Sequence, residues 1–233
     1  MSLLLSACGS GNNSSKSGEN TVPDNTNVEQ SASEESKIKS YTDSKNHTVE
    51  IPVNPQGIVY TGSNVGDILA LGVKPLGAAL GVIADQVAYP ELLEGIEDVG
   101  DVLADLEKVL SLNPDLILLD AGGTYYEEGT FDALSKIGPT VTYDRLPTKE
   151  RLRILGEILG KEQEADTWIT NYEVKALDIR TALDVQDTGT ASVFLSLGKD
   201  LYVMGNSGLS LTIYETLGFV PSARVKSDLI DKT

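Results

Sequence analysis

With one histidine and one cysteine among its 233 residues, this chain has few chemical options. Nucleophilic catalysis needs a base beside the nucleophile. His47 lies just ahead of a candidate strand, where it reads as a solvent-facing strand start rather than the partner of a serine or cysteine. The run Gly205-Asn206-Ser207-Gly208 is one residue short of a nucleophile elbow. A P-loop, a dinucleotide fingerprint after a strand and an H-E-x-x-H helix are all absent from the sequence. No catalytic residue is therefore assigned. A single histidine also disfavours direct metal ligation, so no metal ligand is assigned either. Hydrogen-bonding and aromatic residues remain, placed where strands give way to loops: Asn64, Tyr89, Tyr125, Tyr126, Arg145, Ser196 and Asn206. Such residues recognise a ligand by walls and donors without turning it over.

Those positions acquire meaning from the elements around them. Gly57–Thr61, Leu76–Leu80, Leu116–Leu119 and Thr140–Tyr143 read as short buried strands. Between them lie helical stretches, at Val65–Leu71 (capped by Ser63 or Asn64 and ended by Gly72), Asp105–Leu112 and Phe131–Ile137. Strand and helix alternate, which predicts a parallel sheet with helices on both faces. Ligands of such sheets bind beyond the carboxyl ends of the strands, and the loops named above sit there. Tyr125 and Tyr126 fit a ligand wall and a helix start equally well. Arg145 fits a ligand contact or a surface pair with Asp144 or Glu150.

Thr148–Leu159 reads as a further helix, closed by Gly160. From Lys161 to about Val185 there is neither Gly nor Pro, and apolar residues at 165, 168, 172, 176, 179 and 183 form one stripe. Such a helix would be about 37 Å long, enough to act as a stiff spine between two lobes. Trp168 falls on this stripe and reads as core. A second strand-rich region then opens with Ala191–Leu197 and its hairpin partner Asp200–Met204 and continues into a helix near Leu209–Leu217. The fold class expected is α/β, with two Rossmann-like lobes joined by a single long spine helix and the second lobe truncated.

Thirty-five acidic residues against eighteen basic give a net charge of −17, which speaks against a nucleic-acid partner. At the start, Leu5-Ser6-Ala7-Cys8 looks like a bacterial lipobox, in which Cys8 takes a lipid and becomes the mature first residue. The polar, aperiodic stretch that follows is expected to stay disordered. The organisation predicted is a signal remnant at 1–8, a tether at 9–46, a first lobe at 47–147, a helical spine at 148–186 and a partial second lobe at 187–233.

Several runs carry a family resemblance. Val99-Gly100-Asp101 with Leu106-Glu107-Lys108-Val109-Leu110-Ser111-Leu112-Asn113-Pro114-Asp115-Leu116-Ile117 resembles the signature of siderophore and cobalamin-class substrate-binding proteins. Ile68–Gly77, Leu134–Val141 and Leu155–Glu162 are similar to that family too, the last two to its Gram-positive ferric-hydroxamate branch. Tyr202–Gly208 and Tyr214–Phe219 continue the likeness, so that it covers about residues 47–233.

The resemblance implies two α/β lobes that move little about one helix, a cleft between them, and delivery of a ferric siderophore to an ABC permease and its ATPase. It implies a monomer held by a lipid anchor on the outer face of a Gram-positive cell membrane, with no cofactor besides the transported ligand. It also implies that Glu107 docks on permease arginines. Leu106, Val109 and Leu110 are expected to share a buried face that turns Glu107 outward. The strand of Ser196 lacks the basic residues of the family's catecholate binders, which points to a hydroxamate. Two other functions stay in view: a cobalamin or haem receptor of the same fold, and an extracellular enzyme using Ser207.

Overall fold

The computed structural model describes residues 37–81, 88–101, 103–122, 126–183 and 190–232. The described residues include a strand inside the stretch expected to be tether. Strands β1 (Ile38–Thr42) and β2 (Thr48–Pro52) form an antiparallel hairpin with Thr42 opposite Thr48. Tyr41, Val49 and Ile51 alternate onto one side and pack on the core, which a period of two requires. The turn is organised by Asp43. Its Oδ1 accepts the N–H groups of Lys45 at 3.0 Å and His47 at 2.8 Å. Its Oδ2 accepts Thr142 N–H at 3.0 Å, Thr142 Oγ1–H at 2.7 Å and faces His47 Nδ1 at 3.0 Å. His47 is therefore not a solvent-facing strand start. It bonds Asp43 and stacks on Phe131 with ring centroids 3.7 Å apart.

The central sheet contains β3 (Ile58–Thr61), β4 (Gly77–Ala78), β5 (Glu97–Asp98), β6 (Leu116–Asp120) and β7 (Thr140–Tyr143). All are parallel, in the order β5-β4-β3-β6-β7. The second strand is only two residues of the expected Leu76–Leu80. Helices cover both faces, as the alternation predicted. Ile58, Tyr60, Leu116 and Leu118 face one core with α1 (Gly66–Ala70), α5 (Thr148–Leu159) and the start of α6 (Glu162–Ala182). Val59, Ile117 and Leu119 face another with α3 (Leu106–Ser111) and α4 (Glu128–Leu134). The short α2 (Pro90–Leu93) precedes β5.

Helix ends follow local chemistry in most places. Asp105 caps α3, its carboxylate accepting the N–H groups of Glu107 and Lys108. Gly160 closes α5 at φ 66°, and a Cβ there would stand 2.6 Å from Val53 O, so only glycine fits beside the end of the hairpin. The expected cap of α1 is absent: Val65 is its N-cap, without a side-chain bond, and Asn64 Nδ2 donates to Ser63 Oγ instead. On α3 only Val109 is buried, whereas Leu106 and Leu110 are exposed. A six-residue helix presents too little length to bury a whole face.

Helix α6 runs for 21 described residues, about 31 Å, and the end of the expected Lys161–Val185 stretch lies outside the described residues. Its stripe is buried at Ala165 and Ala176, with Trp168 packed against the core and stacked on Tyr172, and Ile169, which the stripe did not include, is buried as well. Burial stops there, since Ile179 and Leu183 are exposed, because the sheet that α5 and the first turns of α6 cover does not extend so far. Beyond it, β8 (Thr190–Ala191) pairs in parallel with β11 (Val220–Pro221), and β9 (Val193–Leu197) pairs antiparallel with β10 (Asp200–Met204). Two short helices, α7 (Leu209–Leu211) and α8 (Ala223–Val225), each run on into a wider-turned segment, Thr212–Thr216 and Lys226–Ile230.

Candidate functional site

Strand order reverses at β3, whose neighbours β4 and β6 continue the chain in opposite directions across the sheet. A crevice must open there, because the loops leaving the two halves diverge. A cleft of about 780 Å³ occupies this end of the sheet. Ser63 and Asn64 line it from the loop after β3, and Arg145 to Lys149 from the loop after β7 and the start of α5. Arg151 and Tyr172 come from α5 and α6, and Asn206 to Leu209, Leu211, Thr212, Glu215 and Thr216 complete the opposite wall.

The wall beneath these residues is a hydrogen-bonded set of strand-end groups. Tyr143 O–H donates to the Tyr60 hydroxyl at 2.6 Å, and the Tyr60 hydroxyl accepts Asn64 N–H at 3.1 Å. Burial pushes both tyrosine hydroxyls well above their usual range, so they remain neutral donors and acceptors. A Cβ at Gly62 would lie 2.6 Å from the Tyr143 hydroxyl and 2.8 Å from Asp120 Cβ, so the loop carrying Asn64 can cross here only as glycine. Arg145 bonds a carboxylate other than the Asp144 or Glu150 expected from the sequence. Its Nε donates to Asp120, 3.1 Å from Oδ2 and 3.3 Å from Oδ1, and Asp120 also accepts Gly122 N–H at 2.8 Å. Asp120 is wholly buried and the Arg145 side chain is 43% exposed.

A second ion pair stands beside the first. Arg151 binds the Asp67 carboxylate of α1 and donates from Nη1 to Leu146 O at 2.7 Å. Burial pushes the Asp67 carboxyl up, the Arg151 hydrogen bond and charge pull it back, and the Asp120 charge pushes it up again, leaving it raised. Arg151 thus ties α1 to the loop that carries Arg145. Lys149 pairs with Glu173 at 3.0 Å, and Tyr172 O–H donates to Thr216 Oγ1 at 3.2 Å.

Of the residues singled out in the sequence, Asn64, Arg145 and Asn206 meet in this cleft. Three others do not line it. Tyr89 is half-buried against Gly66, whose Cβ would stand 2.4 Å from the Tyr89 hydroxyl. The Tyr126 hydroxyl donates to Glu128 at 2.5 Å, which pushes its pKa up to about 12, and its ring lies under Lys45. Ser196 is exposed on the β9–β10 hairpin, opposite Leu201. Tyr125 and Cys8 lie outside the described residues. Glu107 is exposed at the first turn of α3. The sequence reading missed Asp67, Asp120, Arg151, Tyr172 and Glu215. Only Asp120 carried a signal, an acidic residue directly after a strand of four apolar residues.

A sheet that reverses beneath a polar cleft, walled on the far side by a separate set of loops, is built to hold a ligand. The chain belongs to the periplasmic binding protein family, whose signature matches residues 58–231. It is 32% identical over 238 residues to the iron(3+)-hydroxamate-binding protein FhuD of Bacillus subtilis, a match covering 98% of this chain and 68% of that protein. Among solved structures it is similar to a FhuD fold-family periplasmic binding protein component of a Fep/Fec-like ferrichrome ABC transporter from Bacillus subtilis, with 29% identity, a TM-score of 0.70, and coverage of 82% of this chain and 70% of that one. It is also similar to Staphylococcus aureus SirA complexed with staphyloferrin B, with 26% identity, a TM-score of 0.69, and coverage of 84% and 68%.

Proposed function

We propose that this chain is the extracellular, substrate-binding component of an ABC importer that captures a ferric siderophore of the hydroxamate class and hands it to a permease. The observation that carries the reading is the cleft at the strand-order reversal, where Asn64, Arg145 and Asn206 offer donors from both walls. Support comes from membership of the family and from the 32% identity to an iron(3+)-hydroxamate-binding protein. Among the described residues no group of three or more His, Cys, Asp or Glu is placed to hold a bare metal ion. On this reading iron enters as a finished chelate whose outer oxygens meet the cleft donors. Cys8 carries the lipid that keeps the protein at the membrane, and Glu107 meets the permease.

Native mass spectrometry of the protein against ferric hydroxamate, catecholate and carboxylate siderophores, cobalamin and haem tests this reading. Retention of a ferric hydroxamate, weakened roughly ten- to a hundredfold by Arg145→Ala, is the expected result, since a hydrogen bond to a charged group is worth about 1.5–3 kcal/mol. Retention of cobalamin or haem with no siderophore bound would overturn it.

A further inference from the structure

Resting on that reading, we infer that the buried Asp120 sets the charge of ligand this cleft accepts, selecting ferric chelates without net charge over polyanionic ones. Among the described residues three basic side chains line the cleft, and each has a carboxylate partner. Arg145 is paired with Asp120, Arg151 with Asp67 and Lys149 with Glu173. Glu215 is the one carboxylate among the described lining residues, so with the three partners behind the basic side chains, three positive charges are set against four negative ones.

A ferric ion wrapped by three hydroxamate monoanions carries no net charge. Wrapped by three catecholate dianions it keeps three negative charges. The first is indifferent to the cleft's balance and needs only donors for its oxygens. The second is repelled, and gains little from guanidinium groups whose fields are already cancelled nearby.

Asp120 has the greatest leverage of the four carboxylates. It is wholly buried, whereas the side chains of Asp67 and Glu173 are 13% and 56% exposed and Glu215 is exposed, so solvent and salt screen those three more. Asp120 cannot swing away either, because Gly122 N–H holds its Oδ1 at 2.8 Å. It acts as a positioning residue, presenting Arg145 to the cleft as a donor while cancelling the charge that would attract anions.

Asp120→Asn removes the charge and keeps an oxygen for Gly122 N–H. The experiment measures Kd for a neutral ferric tris-hydroxamate and a triply anionic ferric tris-catecholate, at low and high ionic strength, alongside the melting temperature. Wild type is expected to prefer the neutral chelate. Asp120→Asn should shift the ratio of the two Kd values toward the anion by roughly tenfold at low salt, and by less at high salt. Glu215→Gln, at an exposed position that does not threaten folding, should shift it the same way by a smaller factor. A merely structural role for Asp120 would weaken both chelates equally. A wild type that binds neither chelate overturns the siderophore reading and this inference with it. A wild type that binds a chelate while the ratio ignores both substitutions, or that already favours the anion, overturns this inference alone.

Discussion

Replacing Arg151 by methionine should cost this protein a large part of its stability, in a way that depends on pH. The two side chains of the Arg151–Asp67 pair are 12% and 13% exposed, so removing one leaves a carboxylate nearly without solvent. Breaking a buried pair costs about 3–5 kcal/mol, and a lost hydrogen bond to Leu146 O about 1 kcal/mol more. The water that reaches the partly exposed Asp67 offsets some of this, leaving about 3–4 kcal/mol. For a domain of this size each kcal/mol moves the melting temperature by about 2–4 °C, so a fall of roughly 10 °C is expected. The pH dependence follows from Asp67. Burial already raises its carboxyl in the wild type, and without Arg151 the opposing pull vanishes, so it rises further. A group raised on folding contributes stability that is fully present below its unfolded value, about 3.9, and is lost as pH rises through the folded one. The deficit of Arg151→Met should therefore be small near pH 4 and grow as pH rises from there toward neutrality. Urea unfolding followed by Trp168 fluorescence across that range measures it. The double variant Asp67→Asn/Arg151→Met should recover part of the loss, since both charges are then gone. A deficit under about 1 kcal/mol, or one that stays level with pH, would refute the argument.

Asp43 titrates with the opposite sign. Burial opposes its charge, but hydrogen bonds from Thr142 and His47 outweigh that and hold its carboxyl below the usual range. Its contribution is present above the unfolded value near 4 and is lost as pH falls through the folded one, so Asp43→Asn should cost about 2 kcal/mol at neutral pH and almost nothing at about pH 2. Equal losses at both ends of an acid titration of stability would contradict this. Glu107→Arg should lower siderophore uptake by cells while leaving chelate affinity and melting temperature unchanged, because the exposed carboxylate touches neither cleft nor core. Normal uptake by that variant would remove Glu107 from the docking surface.

Where structure depends on near neighbours in the chain, the sequence was enough. Thr148–Leu159 with its left-handed Gly160, and Thr140–Tyr143 after Gly138-Pro139, lie where apolar period and turn chemistry put them. The parallel sheet followed from alternation, and the rule that ligands meet such sheets beyond their strand ends found Asn64, Arg145 and Asn206. Loop direction was not legible in the same way. Tyr89, Tyr126 and Ser196 also follow strands or sit on one, but each is turned onto a local partner or solvent.

What the sequence by itself determined is thus the α/β class, the family and three residues of the cleft, since period, punctuation and motif all act over a few residues. Tertiary structure alone decided which charges meet. Arg145 reaches Asp120 across 25 residues of chain, Arg151 reaches Asp67 across 84, and Asp43 reaches Thr142 across 99. No periodicity spans such separations. They arise because β6 and β7 are hydrogen-bonded neighbours, because α1 and α5 pack on the same face of the sheet, and because the hairpin closes against β7. The charge of the cleft is the sum of those pairings, and it exists only once the sheet has brought them together.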